Sequence, residues 1–435
     1  MAVRESRVTL SLAVADDRQP LRVAAHLCAF AAAILAFVLS AMALQALGAP
    51  YEAPGGSALQ KLHPATYLAV LAVILEAAWR PRPLAYLAAL PLRFPGAALF
   101  AVNLGLIVAY AALFQHAPVA PLIDTFLVGA ILLALYEEFT PRERAALRLA
   151  LHVVMIVNAC LGLAEFAFAF RLTPFVAGGR AILGDYRSTA LLGHPLLNAG
   201  TTSLYAAMLI LGADRAIRLP LRLVMTTIQL VALVPFGGRT SLTLAIVVVC
   251  LAALRPIGEA LGGRRFDLRT AIVAALVAPL AVAAAAAAWL GGALAPLIER
   301  FSADRGSAQA RVVLFDLFDA FTFQDFVLGP DPKRLATLQN TLGIEYGIED
   351  GWLGLAFQYG AAMTTFFLIG FAGLLWELWR RARSGAWAIM LLFLAQVSSS
   401  ASLSVKTFAF NQFAILMLAV FDGRAGVKAA TRGRA

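Results

Sequence analysis

Between residues 23 and 421 the chain keeps returning to apolar runs of about 17 to 25 residues, the length an α-helix needs to cross roughly 30 Å of hydrocarbon. In lipid every backbone N–H and C=O must be satisfied inside the spanning element, so only helices or a closed barrel are open to such a chain. The runs show no strand-like alternation, and alanine-rich stretches such as residues 281–288 favour helix. With 61% hydrophobic residues, 14% charged residues and a mean hydropathy of +0.81, a water-soluble globular domain is excluded. The fold class is all-α, a polytopic membrane helix bundle in one integral membrane domain. Helices are expected over residues 23–46, 64–79, 96–114, 120–136, 149–170, 197–213, 221–236, 241–254, 271–293, 352–376, 387–404 and 407–421, twelve in all, with both termini inside.

Loop charge is an independent check on that count, because basic residues collect on the cytoplasmic side of a spanning bundle. With the N-terminus inside, the basic clusters around residues 4–22, 80–93, 142–148, 215–222, 255–269, 380–383 and 424–434 all fall on the cytoplasmic side. The net charge of +10 and pI near 9.9 therefore follow topology and give no reason to invoke nucleic acid. Most of the remaining basic residues fall in three outer segments: a loop over residues 171–198, the turn at Arg239, and a long loop over residues 294–351. The long loop alone has room for structure of its own. Leu314, Leu317, Phe318 and Phe321 predict a helix lying along the membrane or the bundle, and Leu335, Leu338 and Leu342 a second short one. Cys28, Cys160 and Cys250 lie inside apolar runs, so neither a disulfide framework nor thiol metal ligation is expected. The first apolar run, preceded by Arg4, Arg7, Arg18 and Arg22, reads as a retained signal anchor.

Residues 235–241, Pro-Phe-Gly-Gly-Arg-Thr-Ser, form a seven-residue break between two apolar runs and put Arg239 in a membrane hairpin. Arg187 and the acidic pair Glu349 and Asp350 are expected on the same outer side, close to helix ends. Two guanidiniums in Gly-flanked turns suit bidentate binding of a phosphate or pyrophosphate and stabilise the charge that develops as it leaves. The plainer alternative has each arginine snorkelling to headgroups or pairing with an acid such as Asp185 or Asp350. Glu349 is a candidate general base; the alternative is a solvated carboxylate or one paired with Lys333 or Arg334. His194, before Pro195, is more readily a helix-start residue than a base. His26, His63, His116 and His152 are scattered over different elements, which argues against a metal site. Glu165, Gln358 and the serines at 398, 399, 400, 402 and 404 are polar groups in apolar runs that hydrogen-bond between helices by default; the alternative is an outward-open polar cavity lined by Glu165 and the serines. A proton-coupled transporter would want ionisable groups at mid-membrane depth, and the chain has almost none there.

In order and sidedness these residues resemble the O-antigen ligase and Wzy-type polysaccharide polymerase superfamily. Tyr186-Arg187 followed by Gly193-His194-Pro195 is similar to the family's Arg then Gly-His-Pro-Asn element, with Leu196 where Asn usually follows. Gly238-Arg239-Thr240-Ser241 resembles its Ser-Arg turn. The stretch from Arg311 through Val327-Leu328-Gly329-Pro330-Asp331 to Glu349-Asp350-Gly351-Trp352-Leu353 and Phe357-Gln358-Tyr359-Gly360 is similar to its large periplasmic loop. Ligases place a His-Asn pair where Glu349-Asp350 stands, so a VpsF-like exopolysaccharide polymerase is the better match. The resemblance implies a metal-independent, cofactor-free glycosyl transfer at the periplasmic face of the bacterial inner membrane. Undecaprenyl-pyrophosphate-linked oligosaccharide would be donor, a lipid-linked glycan acceptor, and other polysaccharide-assembly proteins the partners. It implies that Arg187 and Arg239 hold the leaving pyrophosphate, that Glu349 or Asp350 activates the hydroxyl, and that Tyr186, His194, Arg311, Lys333 and Arg334 belong to the substrate-binding surface. A ligase acting on lipid A core and a lipid-linked sugar flippase are the alternatives.

Overall fold

The computed structural model describes residues 19–52, 57–177, 180–182, 187–214, 216–262, 307–344 and 347–423. The helix expected over residues 271–293 lies outside them. Among the described residues, apart from one two-residue antiparallel pair, β1 Val176–Ala177 with β2 Arg180–Ala181, the regular structure is helical. The first half runs α1 Gln19–Val38, α2 Ala41–Ala46, α3 Pro64–Trp79, α4 Pro83–Arg93, α5 Pro95–Leu113, α6 Ala120–Glu138 and α7 Pro141–Phe168. Then come α8 Pro195–Ile210, α9 Leu219–Phe236 and α10 Arg239–Leu261; α11 Ser307–Ala320, α12 Phe323–Leu328 and α13 Pro332–Thr341; and α14 Gly351–Tyr359, α15 Ala361–Arg381, α16 Ala386–Val397 and α17 Ala409–Ala419. Proline stands in the first turn of α3 to α9, where its missing N–H is no loss.

Among the described residues, six helices are long and apolar enough to cross a membrane: α1, α5, α6, α7, α9 and α15. Their outward faces carry Leu27, Val102, Leu106, Val153, Val157, Val231 and Ile369, all exposed. Such a belt is a liability in water and costs nothing in lipid, so the chain is a membrane-embedded helical protein. At the centre stand α8 and α17, buried on nearly every face, with α1, α6, α7, α9, α10, α15 and α16 around them. A helix apolar and buried all round belongs in the middle of a bundle.

The bundle has two chemically different ends. At the basic end, Arg80 and Arg93 share Glu138 (2.5 and 2.7 Å), Arg381 meets Glu137 (3.1 Å), Arg148 meets Asp214 (3.2 Å), and Arg383 donates to the Gly212 carbonyl (2.7 Å). Residues 80–93, read as a loop, contain α4, a helix with no buried residue and with Leu84 and Leu92 exposed.

Two expected spans are longer than read, that over residues 149–170 beginning at Pro141 and that over 241–254 running to Leu261, and three are cut short or broken. The helix over residues 23–46 stops at Val38, and Ser40 restarts the chain as the cap of α2, its Oγ accepting Ala43 N–H at 3.1 Å. The helix over 352–376 is two helices broken at Gly360, whose φ of 82° is a left-handed conformation. The helix over 387–404 ends at Val397. There the serine hydroxyls take over the helix's carbonyls, Ser398 Oγ donating to Leu394 O (2.9 Å) and Ser399 and Ser400 Oγ to Gln396 O (3.0 Å each). Such local bonding competes with helix propagation.

The segment after α10 carries a small core of its own. Leu314 and Leu317 of α11 pack with Ile344, Ile348 and Phe357, and the Phe318 ring lies 4.7 Å from that of Phe357 on α14. The predicted amphipathic helix therefore buries its face against α14.

Candidate functional site

One stripe of α7 shapes the segment that carries Arg187. Asn158, Gly162 and Glu165 fall at i, i+4 and i+7, on one helical face. Asn158 Oδ1 accepts Leu191 N–H (3.1 Å), the Gly162 carbonyl accepts Ser188 Oγ–H (2.7 Å), and Glu165 Oε2 accepts Thr189 and Ala190 N–H (2.8 and 2.9 Å). Glu165 Oε1 takes Leu172 N–H at 2.8 Å. Ala190 sits at φ 40°, a left-handed conformation that costs an L-residue about 1–2 kcal/mol.

Ser188 ties this segment to the Arg239 turn: its N–H donates to the Pro235 carbonyl at 3.0 Å, satisfying an orphan acceptor at the end of α9. The turn is tighter than the seven-residue break expected, because two glycines suffice for it. Gly237 takes φ 66° and closes α9 onto Leu233 and Val234, while Gly238 lies so close to α8 that a Cβ would overlap that of Ala199. Arg239 then opens α10.

His194 caps α8, its Nδ1 accepting Leu196 N–H at 3.2 Å. Its ring stands edge-on to buried Phe175 (5.2 Å), and the Arg187 guanidinium lies 5.5 Å over that same ring. Arg187 and His194 thus share the Phe175 ring beside the start of α8, and the backbone of the Arg239 turn packs on Ala199 of the same helix. Helices α8 and α10 both begin there, and helix N-termini favour anions.

The acidic pair reaches the same end through α16. Gln396 Nε2 donates to Ser203 Oγ of α8 (2.5 Å), and Gly351 is pressed on the Val397 and Ser400 carbonyls so that a Cβ would crowd them. Asp350 is the cap of α14: its Oδ1 accepts Trp352 and Leu353 N–H, both at 2.9 Å. Glu349 sits half-buried in the bend before it. Trp352 Nε1–H reaches Ser398 Oγ at 2.7 Å.

Lys333 and Arg334 lie exposed on α13, whose main neighbour is α14. Arg334 clasps the loop helices together, pairing with Asp325 and donating to the Ala320 carbonyl, both at 2.8 Å. The Thr322 backbone N–H, then its hydroxyl and Arg334, hold the Asp325 carboxyl below the usual range. Arg311 lies within α11, and Tyr186 falls outside the described residues.

A second polar cluster shares this end of the bundle. Buried Asp124 accepts Tyr51 O–H (2.8 Å), Thr66 Oγ1–H (2.7 Å) and His63 N–H (3.1 Å). Lys406 stands 3.7 Å from Asp124 and 3.2 Å over the Tyr51 ring, and donates to the Tyr51 and Lys61 carbonyls at 3.0 and 2.5 Å. Burial pushes its ammonium down to about 8, with Asp124 and Glu52 opposing. Sequence reasoning missed this cluster, Phe175 and the bonds of Glu165. Of these Glu165 and Asp124, each a carboxylate in an apolar run, left a signal in the sequence. No family model, curated protein or solved structure matches the chain.

Proposed function

We propose that this protein is a polysaccharide polymerase that moves oligosaccharide repeat units from a polyprenyl pyrophosphate donor onto a lipid-linked glycan at the outer, periplasmic face of the bacterial inner membrane. The observation that carries the reading is the bond from Ser188 N–H to Pro235 O, with Gly238 on Ala199. Together they bring the Arg187 segment and the Arg239 turn to the start of α8.

In this reading the acceptor hydroxyl attacks the anomeric carbon as the bond from that carbon to the pyrophosphate oxygen breaks. The bonding pair leaves with the pyrophosphate, and Arg187 and Arg239 meet the developing charge with paired N–H donors. Glu349 receives the hydroxyl proton. Asp350 holds α14 in place as its cap. The lipid-facing belt suits a donor whose polyprenyl chain stays in the bilayer.

The test is reconstitution in proteoliposomes with an undecaprenyl-pyrophosphate-linked repeat unit, reading glycan length by gel and mass spectrometry. Ladders of repeat units are expected, lost in Arg187→Lys and Arg239→Lys. Transport of the donor without elongation, or transfer only to lipid A core, overturns the reading.

A further inference from the structure

We propose that Glu165 is the positioning residue of the pyrophosphate corner, holding the backbone that carries Arg187 in the conformation that meets the Arg239 turn. The inference rests on the arginine pair of the proposed function.

Four successive amides follow Arg187, and each is taken by another element. Ser188 N–H goes to Pro235 O (3.0 Å), Thr189 and Ala190 N–H to Glu165 Oε2 (2.8 and 2.9 Å), and Leu191 N–H to Asn158 Oδ1 (3.1 Å). The segment's carbonyls add one local turn bond, Gly193 N–H to Thr189 O (2.8 Å), and Asn198 Nδ2 of α8 also donates to Thr189 O (2.5 Å), but all four of these amides are held from α7 and α9. Glu165 supplies the central two. Its bond to Ala190 N–H helps hold that residue at φ 40°, a left-handed conformation that an L-residue adopts at a cost.

Glu165 is 2% exposed, and a carboxylate removed from water is costly unless hydrogen-bonded. Its oxygens satisfy that need with three backbone donors, the third being Leu172 N–H at the start of the same loop (2.8 Å). The loop therefore closes onto Glu165 from both ends, with buried Phe175, the ring beneath Arg187, between them. The carboxylate touches no reacting atom in this scheme and acts through Arg187.

Glutamine has one acceptor oxygen and an NH2 that donates, so Glu165→Gln cannot serve all three N–H groups. The experiment uses the full chain in nanodiscs, titrated with undecaprenyl pyrophosphate, for wild type, Glu165→Gln, Arg187→Lys and the double variant. Losing a charge-assisted acceptor of this kind should weaken binding roughly tenfold or more. The double variant should bind no more weakly than the worse single variant, because both lesions act on one guanidinium. Hydrogen exchange should quicken at residues 188–191. Binding by Glu165→Gln equal to wild type, or losses that multiply in the double variant, overturns the inference and leaves the pyrophosphate reading standing. Failure of wild type to bind overturns both. Should Glu165→Gln not fold, Glu165→Asp gives the same readout, since it keeps the charge but shortens the reach. Ala190→Gly added to it should restore part of the affinity by removing the steric cost of the left-handed turn. A Glu165→Asp variant that binds like wild type while its amides exchange faster also overturns the inference.

Discussion

Asp350 and Glu349 are neighbours in the chain with different places in the fold, since Asp350 Oδ1 is held by two N–H groups at the start of α14. Asparagine caps a helix as well as aspartate does, so Asp350→Asn should keep both stability and elongation, while Asp350→Ala should cost about 1 kcal/mol in thermal unfolding. Glu349→Gln should abolish turnover and spare donor binding, measured by single-turnover assay; the reverse pattern for these two acids would move the base to Asp350. Arg239→Lys keeps the charge and loses the planar fork, and roughly a hundredfold lower turnover at normal expression is expected. Lys406 makes a pH prediction. The unfolded chain holds its proton up to the ordinary value of 10.5, whereas the folded protein releases it near 8. The unfolded state thus binds more protons in that window, and stability should rise with pH from 8 towards 10. Above about 10 the trend should reverse, because burial raises the Tyr51 phenol well beyond its usual value and the folded state then holds the extra proton. Melting curves in detergent check this, and Lys406→Met should flatten the rise.

At the scale of elements, Gly329 and Gly360 decide how the loop helices join the bundle. Each has a left-handed φ, 85° and 82°, and the two backbones touch, so that a Cβ on Gly360 would overlap Leu328 and Gly329. Tyr110 O–H donates to the Leu328 carbonyl and Gln115 Nε2–H to that of Gln358 (3.1 Å), fastening the junction to the end of α5. Gly360→Ala should destabilise by about 1–3 kcal/mol and quicken protease cutting within residues 307–344. Gly105→Ala on α5, where a Cβ meets nothing, should be neutral or stabilising. Helix class and the apolar face of α11 were legible in the sequence because they depend on local periodicity. The break at Gly360 was not, since the glycine is required by a backbone some thirty residues earlier.

For the whole molecule, the proposed sidedness rests on the separation of a basic end from the end that holds Arg187, Arg239 and Lys406. The residues assigned to the cytoplasm by charge, among them Arg22 over Trp79 (5.4 Å), Arg80, Arg148 and Arg381, share one end of the bundle. In a variant with its native cysteines replaced, single cysteines at exposed Ser57 and Thr337 should react with a membrane-impermeant maleimide on intact spheroplasts. One at Arg142 should react only after lysis. Labelling of all three from outside would break the proposed sidedness. The proposed arginine corner belongs to this scale too, for Glu165, His194, Pro235 and Arg239 come from α7, the cap of α8, α9 and α10.

That the chain lives in a membrane as helices, and that its charge divides between two ends, can be read from the order of the residues. Transfer of a side chain into lipid is a local cost, summed along each run, and needs no knowledge of neighbours. Only the packing of the helices shows which acid is a cap, that Glu165 faces the Arg187 loop and that Phe175 lies beneath its guanidinium. Those outcomes rest on backbone donors and rings brought together from different parts of the chain, and pairings between segments leave no period in the sequence to read. Residues 235–241 hold both kinds of information: their glycines announce a turn, and only Ser188 and Ala199 show what the turn is held against.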